Sequence, residues 1–241
     1  MQIIAHRGAT DDAPANTRPA FQRALDLGAD AVECDVRLTR DQVPVLAHFF
    51  AVTDVRGVSG PVFSYDQAEI RSDAADHIPT LYEALEIFAG RIGLEIEIKG
   101  PEPESATIVA AALQPYQRHW ESIEVTSYEP ILLRAVQERC PGLATDLLGL
   151  RSEAWMTPEI VTHLAIHRAR LANARAIHLH PTQLLPAIVA TVRAAGIEIH
   201  AWDVNDAHAL DTVTELRIPR ICTDHLEDAL NYRHRFGVLD L

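Results

Sequence analysis

The chain has 241 residues, with 34 acidic against 21 basic side chains and a net charge of −13. That acid excess argues against a nucleic-acid partner and against docking on anionic lipid, both of which need a basic footprint. Hydrophobic residues at 48% and charged residues at 23% exclude a disordered chain, and the length suits one α/β domain, since α/β barrels run to about 200–250 residues as a unit.

In chain order, β-rich runs alternate with longer amphipathic ones. Strands are expected at 2–5, 31–37, 44–47, 93–99, 123–126, 144–148, 176–180, 198–202 and 220–222. Helices are expected at about 17–27, 81–89, 104–115, 129–138, 158–172, 183–195, 206–216 and 226–235. Thr80 stands three residues before Glu83, as in a capping box. Pro158 follows Thr157, and Gly28 and Gly196 fall just past helix ends. Alternation with short loops implies parallel strands under helical cover, and eight such units close into a (β/α)8 TIM barrel.

Nine strands are one too many for that barrel. Runs 31–37 and 44–47 are too close for a parallel crossover, which takes a dozen or more residues. They are expected to form an antiparallel hairpin over about 31–48, with its turn centred near 40–41. That register sets residue 33 opposite residue 48 and brings Glu33 beside His48. The stretch 49–77 has no clear period and reads as a small loop insertion within a single domain, 1–241. Cys34, Cys140 and Cys222 are far apart and read as buried free thiols. No apolar run approaches the roughly 18 residues of a membrane span, and Met1–Arg7 lacks the apolar core of a signal peptide. A cytoplasmic protein without stable membrane insertion is expected, with the oligomeric state open, a homo-oligomer included.

Strand 31–37 carries Glu33 and Asp35 two apart, on one face. Strand 93–99 puts Glu95, Glu97 and Lys99 on one face and Leu94, Ile96 and Ile98 on the other. The apolar set is expected under the helices and the charged set in the barrel lumen. Inward carboxylates repel one another and need cations, and clustered oxygens suit a hard divalent ion, Mg²⁺ or Ca²⁺. The first strand ends in His6-Arg7-Gly8. There the histidine can exchange a proton near neutral pH, and the arginine offers a fork for phosphate. With His48, Lys99 and the acids, these residues make up a phosphodiester-cleaving set.

The order His6-Arg7-Gly8, Pro14-Ala15-Asn16-Thr17, Gly28 to Val36, Thr39-Arg40-Asp41, Val43-Pro44-Val45 and His48 resembles the glycerophosphodiester phosphodiesterases. So do Ile78-Pro79-Thr80-Leu81, Glu97-Ile98-Lys99, Thr126-Ser127-Tyr128, Trp202 to Asn205 and Thr223-Asp224. The resemblance implies a phospholipase-C-like TIM barrel that hydrolyses a small-molecule glycerophosphodiester to glycerol 3-phosphate and an alcohol with a divalent metal. It implies that Glu33, Asp35 and Glu97 bind the metal; Glu95 is a further candidate only because it shares the strand face of Glu97. It casts His6 and His48 as the acid/base pair and Arg7 and Lys99 as phosphate holders. Attack by the substrate's own glycerol hydroxyl, through a cyclic phosphate, is the implied route. Trp202 looks like the family's aromatic wall. A lyase that stops at the cyclic phosphate and a catalytically silent binder are the alternatives. Three departures stand out: Ala15 where the family has glutamate, Phe49 where it has aspartate, and Asp54-Val55-Arg56 in place of an Arg-Thr-Thr stretch. All three are expected to line the mouth and alter alcohol-side specificity.

His180, at a strand end before Pro181, is a further candidate for substrate binding. Ser127 and Asp224 also sit at strand ends, where helix capping explains them equally well. His163 and His167, four apart on an outer helix, read as surface residues. No GxSxG, GxxxxGK or GxGxxG motif is present.

Overall fold

The computed structural model of the chain describes residues 1–71, 78–100 and 102–237. Residues 72–77 of the expected insertion lie outside them. Eight parallel strands close a barrel: β1 (Gln2–Ala5), β2 (Ala31–Leu38), β7 (Gly93–Ile98), β8 (Ile123–Ser127), β9 (Ala144–Leu148), β10 (Ala176–Leu179), β11 (Glu198–Ala201) and β12 (Arg220–Thr223). Closure runs through β1, which pairs with both β12 and β2. Helices cover the outside: α1 (Arg18–Leu27), α2 (Leu81–Phe88), α3 (Ser105–Leu113), α4 (Pro130–Arg139), α5 (Pro158–Ala172), α6 (Pro186–Ala194), α7 (Ala207–Glu215) and α8 (Leu226–Phe236). This is the expected (β/α)8 arrangement, because each strand's outward residues are apolar. Ile3, Val32, Ile96, Val125, Leu147, Ile177, Ile199 and Ile221 are buried in one core with Phe21, Leu85, Leu113, Leu133, Val192 and Val213 of the helices.

The helix ends follow local chemistry. Thr80 and Glu83 form a reciprocal capping box on α2. Gly28 ends α1 in the left-handed region at φ 85°, a conformation glycine adopts at no steric cost. Thr157 caps α5 with Pro158 at its first position. His163 and His167 are exposed, as the surface reading requires.

The ninth strand, β3 (Pro44–Leu46), is antiparallel to β2, so the hairpin forms. Its register differs by one from the expected one. Val36 pairs with Leu46 and Leu38 with Pro44, which centres the loop on Asp41 rather than between 40 and 41. Thr39 explains the extra residue. Its N–H reaches the Val43 carbonyl, its hydroxyl donates to Asp41 at 2.5 Å, and Gln42 takes φ +61°. The ladder stops before residue 48, so His48 is not a cross-strand partner of Glu33 and reaches the site from a loop.

The stretch without a sequence period carries a small antiparallel sheet, β4 (Ala51–Asp54), β5 (Ser59–Pro61) and β6 (Ile70–Arg71), with β4 central. Strands of two to four residues are too short to show alternation.

Inside the barrel, Ile4, Ala31 and Cys222 form one small apolar cluster with Trp202 against it, and the buried acids and histidines gather in two polar layers. Barrel lumens are usually filled by branched apolar side chains; here charged and imidazole groups take most of that space. All three cysteines are buried and free. Among the described residues, no helix is long and apolar enough to cross a membrane.

Candidate active site

The upper layer lies at the carboxyl ends of the strands, where barrel active sites are built. β2 and β7 run side by side, with Glu33 paired to Glu95 and Asp35 to Glu97. Glu33, Asp35 and Glu97 turn inward, are 3%, 0% and 7% exposed, and bring one oxygen each within 4.8 Å of the others. Glu95 does not join them. It lies one layer lower with Glu124 and His178, because side chains two apart on a tilted strand rise through successive lumen layers.

Three acids this close repel one another, and the surroundings show how the chain tolerates it. Burial, and then the charges of Asp35 and Glu97, push the Glu33 carboxyl well above its ordinary value. Burial pushes Asp35 up too, but the positive charges of Lys99 and Arg7 and the Asn16 amide outweigh it and hold that carboxyl low. Lys99 Nζ lies 2.9 Å from Glu97 and 3.2 Å from Asp35. Arg7 Nε lies 3.2 Å from Asp35, and its backbone N–H donates to Glu33 at 3.1 Å. The two residues expected on phosphate are thus seated on the acids. The acid oxygens remain short of donors: Glu33 Oε1 is buried without one, and Asp35 Oδ1 and Glu97 Oε1 share the single Lys99 ammonium. Clustered buried carboxylate oxygens with too few donors are what a hard divalent cation satisfies, so these residues fit one.

The turn after β1 is tightly constrained. Arg7 adopts φ +59° and Gly8 φ +91°. A Cβ at Gly8 would stand 2.7 Å from Ala20, so only glycine lets α1 approach and aim His6 and Arg7 at the lumen. His6 Nε2 faces Glu33 at 3.9 Å, and His6 Nδ1 pairs with Asp224 Oδ1 at 2.6 Å. Asn205 in turn donates to Asp224 at 2.6 Å and accepts from the Asp224 N–H. The His6 hydrogen bond, against some burial, holds the Asp224 carboxyl below its ordinary value.

His48 lines a cavity with Ala15, Asn16, Thr17 and Phe49, its ring edge-on to Phe49 at 4.9 Å. Its Nδ1 is buried without a partner. Burial, opposed by Asp35 and helped by Arg7, Lys99 and His6, lowers its pKa to about 4. Trp202 and His180 stand together, ring centroids 5.2 Å apart. Arg151 lies over the indole at 5.2 Å and is paired with Asp203. His180 is held by Thr182 at 2.7 Å and lies 3.6 Å from Asp203.

Two sequence expectations need correction. Ala15 and Phe49 share the His48 cavity, but Asp54 does not. Its buried carboxylate accepts from Arg56 and from the Val58 N–H and fixes the turn between β4 and β5. Asp224 does not cap α8; His225 holds that position, without a side-chain cap, and Asp224 serves His6. Ser127 donates to the Ile98 carbonyl and accepts from the Glu129 N–H, as a turn residue would.

Asn16 stands in the Pro14-Ala15-Asn16-Thr17 motif, but its role was not read from the sequence. Its amide donates to Asp35 Oδ2 at 2.8 Å and its Oδ1 accepts from the Asp35 N–H at 3.2 Å. Its φ of +58° is a conformation asparagine tolerates better than most residues. Its place in that motif was the local signal.

Comparison with known proteins places the family and the fold. The chain is 29% identical over 254 residues to a glycerophosphodiester phosphodiesterase of Caldanaerobacter subterraneus, covering 98% of each. A phosphodiesterase from Oleispira antarctica, solved with the product sn-glycerol-3-phosphate, superposes with a TM-score of 0.80 at 25% identity over 97% of both chains. The Thermotoga maritima glycerophosphodiester phosphodiesterase shares the fold with a TM-score of 0.76 at 24% identity, over 96% of this chain and 97% of that one. The model of the glycerophosphoryl diester phosphodiesterase family matches residues 6–228, and this chain belongs to that family.

Proposed function

We propose that this protein hydrolyses glycerophosphodiesters to glycerol 3-phosphate and an alcohol, with a divalent cation, Mg²⁺ or Ca²⁺, held by Glu33, Asp35 and Glu97. The observation that carries this reading is the three buried carboxylates within 4.8 Å of one another, with His6 against them. The product-bound Oleispira relative supports the substrate class. When bound, the cation supplies positive charge to the phosphoryl oxygens and so stabilises charge that develops on them.

The chain's own residues move the protons. His48, neutral at pH 7 with its pKa near 4, has a free lone pair to accept a proton from the glycerol hydroxyl as that oxygen bonds phosphorus. His6 is backed by Asp224, which stabilises its imidazolium and fixes Nδ1–H. Its Nε2 then gives a proton to the alkoxide released when the other P–O bond breaks. Water opens the cyclic phosphate in the reverse sense, restoring both imidazoles. Arg7 and Lys99, at the edge of the acids, hold the phosphate, and Trp202 and His180 form the wall against which the glycerol part rests. Ala15 and Phe49 make the His48 side of the mouth smaller in charge and more apolar, and so set the alcohol preference.

The test compares wild type with Glu33→Gln, Asp35→Asn and Glu97→Gln on a panel of glycerophosphodiesters. Calorimetry follows the divalent ion, and phosphorus NMR follows the products. Loss of metal binding and turnover in the three variants is expected, with glycerol 3-phosphate as the wild-type product. Full turnover of any variant in chelator would refute the metal role. Accumulation of cyclic phosphate alone would move the assignment to the lyase, and the absence of turnover on every substrate would move it to the silent binder.

A further inference from the structure

The lower polar layer of the lumen is not used by the reaction above. We propose that it is a second metal site, for a borderline transition ion of the Zn²⁺ class, with Asp146, His178 and His200 as ligands. These residues lie on three adjacent strands, β9, β10 and β11, His178 paired with His200 and Asp146 two residues before the β9 partner of His178, Leu148, and are 0%, 1% and 3% exposed.

The geometry carries the assignment. Asp146 Oδ2, His178 Nε2 and His200 Nδ1 form a nearly equilateral triangle, with edges of 3.4, 3.4 and 3.1 Å. Ligand atoms at about 2.0–2.1 Å from a tetrahedral Zn²⁺ are about 3.3 Å apart, so the three atoms already stand at tetrahedral spacing. Protons do not fill this triangle as well. Each ring nitrogen carries at most one N–H. If both donate to Asp146, the third edge sets donor against donor; if one histidine donates to the other, Asp146 loses that bond. A cation at the centre satisfies all three edges.

The outer nitrogens point the same way. His178 Nδ1 is buried without a hydrogen-bond partner and faces Glu95 Oε1 at 3.6 Å. His200 Nε2 faces Glu198 Oε2 at 3.6 Å. Each imidazole therefore has one nitrogen on the triangle and the other toward a carboxylate, the pairing that orients metal-ligating histidines. Arg175 also reaches Asp146 Oδ2 at 2.7 Å and Glu124 at 2.8 Å, and Arg220 pairs with Glu124 at 2.6 Å. One dication with these two guanidiniums balances Glu95, Glu124, Asp146 and Glu198. Two imidazoles and one carboxylate favour Zn²⁺ over Mg²⁺ or Ca²⁺, so the layers take different ions. Three protein ligands leave the fourth position to water.

The proposal is tested on the full chain refolded with one equivalent of Co²⁺, which shows intense visible bands when four-coordinate. The triple variant Glu33→Gln/Asp35→Asn/Glu97→Gln isolates the lower site. It is expected to show those bands, and adding His178→Gln or His200→Gln is expected to abolish them. Absence of the bands in the triple variant, or their survival without both histidines, would overturn the assignment. Should the triple variant fail to fold, anomalous diffraction at the zinc edge on wild-type crystals grown with Zn²⁺ decides. A peak between Asp146, His178 and His200 supports the site, and no peak there overturns it and leaves the layer held by protons.

Discussion

Asn16 offers a sharp test of how the active-site acids are held. Asn16→Gly keeps the backbone free to adopt φ +58° and removes only the side chain. Asp35 then loses the donor to Oδ2 and the acceptor for its N–H, both in a buried setting. A buried hydrogen bond to a charged group contributes about 1.5–3 kcal/mol, and a neutral donor left unsatisfied costs about 1–3 kcal/mol. Together they predict a loss of about 3 kcal/mol in chelator, with water entering the gap offsetting the rest. Asn16→Ala adds about 1 kcal/mol for placing a Cβ in the left-handed region. A freed Asp35 also orients poorly toward a cation, and loss of such a supporting bond typically lowers metal affinity about 10–100-fold. Urea unfolding in chelator and calorimetric titration with Mg²⁺ or Ca²⁺ read the two effects separately. A glycine variant that unfolds within about 0.5 kcal/mol of wild type and binds the ion unchanged would refute the claim that Asn16 positions Asp35.

Three further outcomes are expected. The folded chain raises the Glu33 pKa well above 4.5, so between the unfolded and folded values the native state binds the extra proton. Metal-free stability therefore falls as pH rises through that window, whereas metal affinity rises because the ion displaces the proton; denaturation and calorimetry from about pH 5 to pH 8 check both. Asp224→Asn removes the negative charge opposite His6 Nδ1 and is expected to lower kcat by about 10²-fold or more with KM little changed, and an unchanged kcat would remove Asp224 from proton transfer. Gly8→Ala forces a Cβ to 2.7 Å from Ala20 at φ +91°. It should cost at least about 2 kcal/mol, read as a fall in Tm.

Much of the barrel was legible because its periodicities are local. Leu94, Ile96 and Ile98 alternate with Glu95, Glu97 and Lys99, so the two faces of β7 follow from composition alone. The short 31–37 to 44–47 connection ruled out a parallel crossover. Helix ends at Thr80, Thr157 and Gly28 followed from capping chemistry within four residues. The hairpin register did not follow, because Thr39 adds a side-chain bond that shifts the loop centre by one residue. The sheet from Ala51 to Arg71 was hidden because its strands are too short to carry a pattern.

The sequence by itself determined which residue types face the lumen, and it singled out His6, Arg7, Glu33, Asp35, His48 and Glu97 as one candidate set. Tertiary structure alone decided how those residues are supported. Asp35 is held by Asn16, 19 positions away, and His6 by Asp224, 218 positions away. Closing the barrel brings the first and last strands together, and no local period reports that. It also sorts Glu33 and Glu97 from Glu95, which share strand faces in sequence. A tilted strand lifts each inward residue through the lumen, so two residues along the chain become a change of layer and of chemical partner.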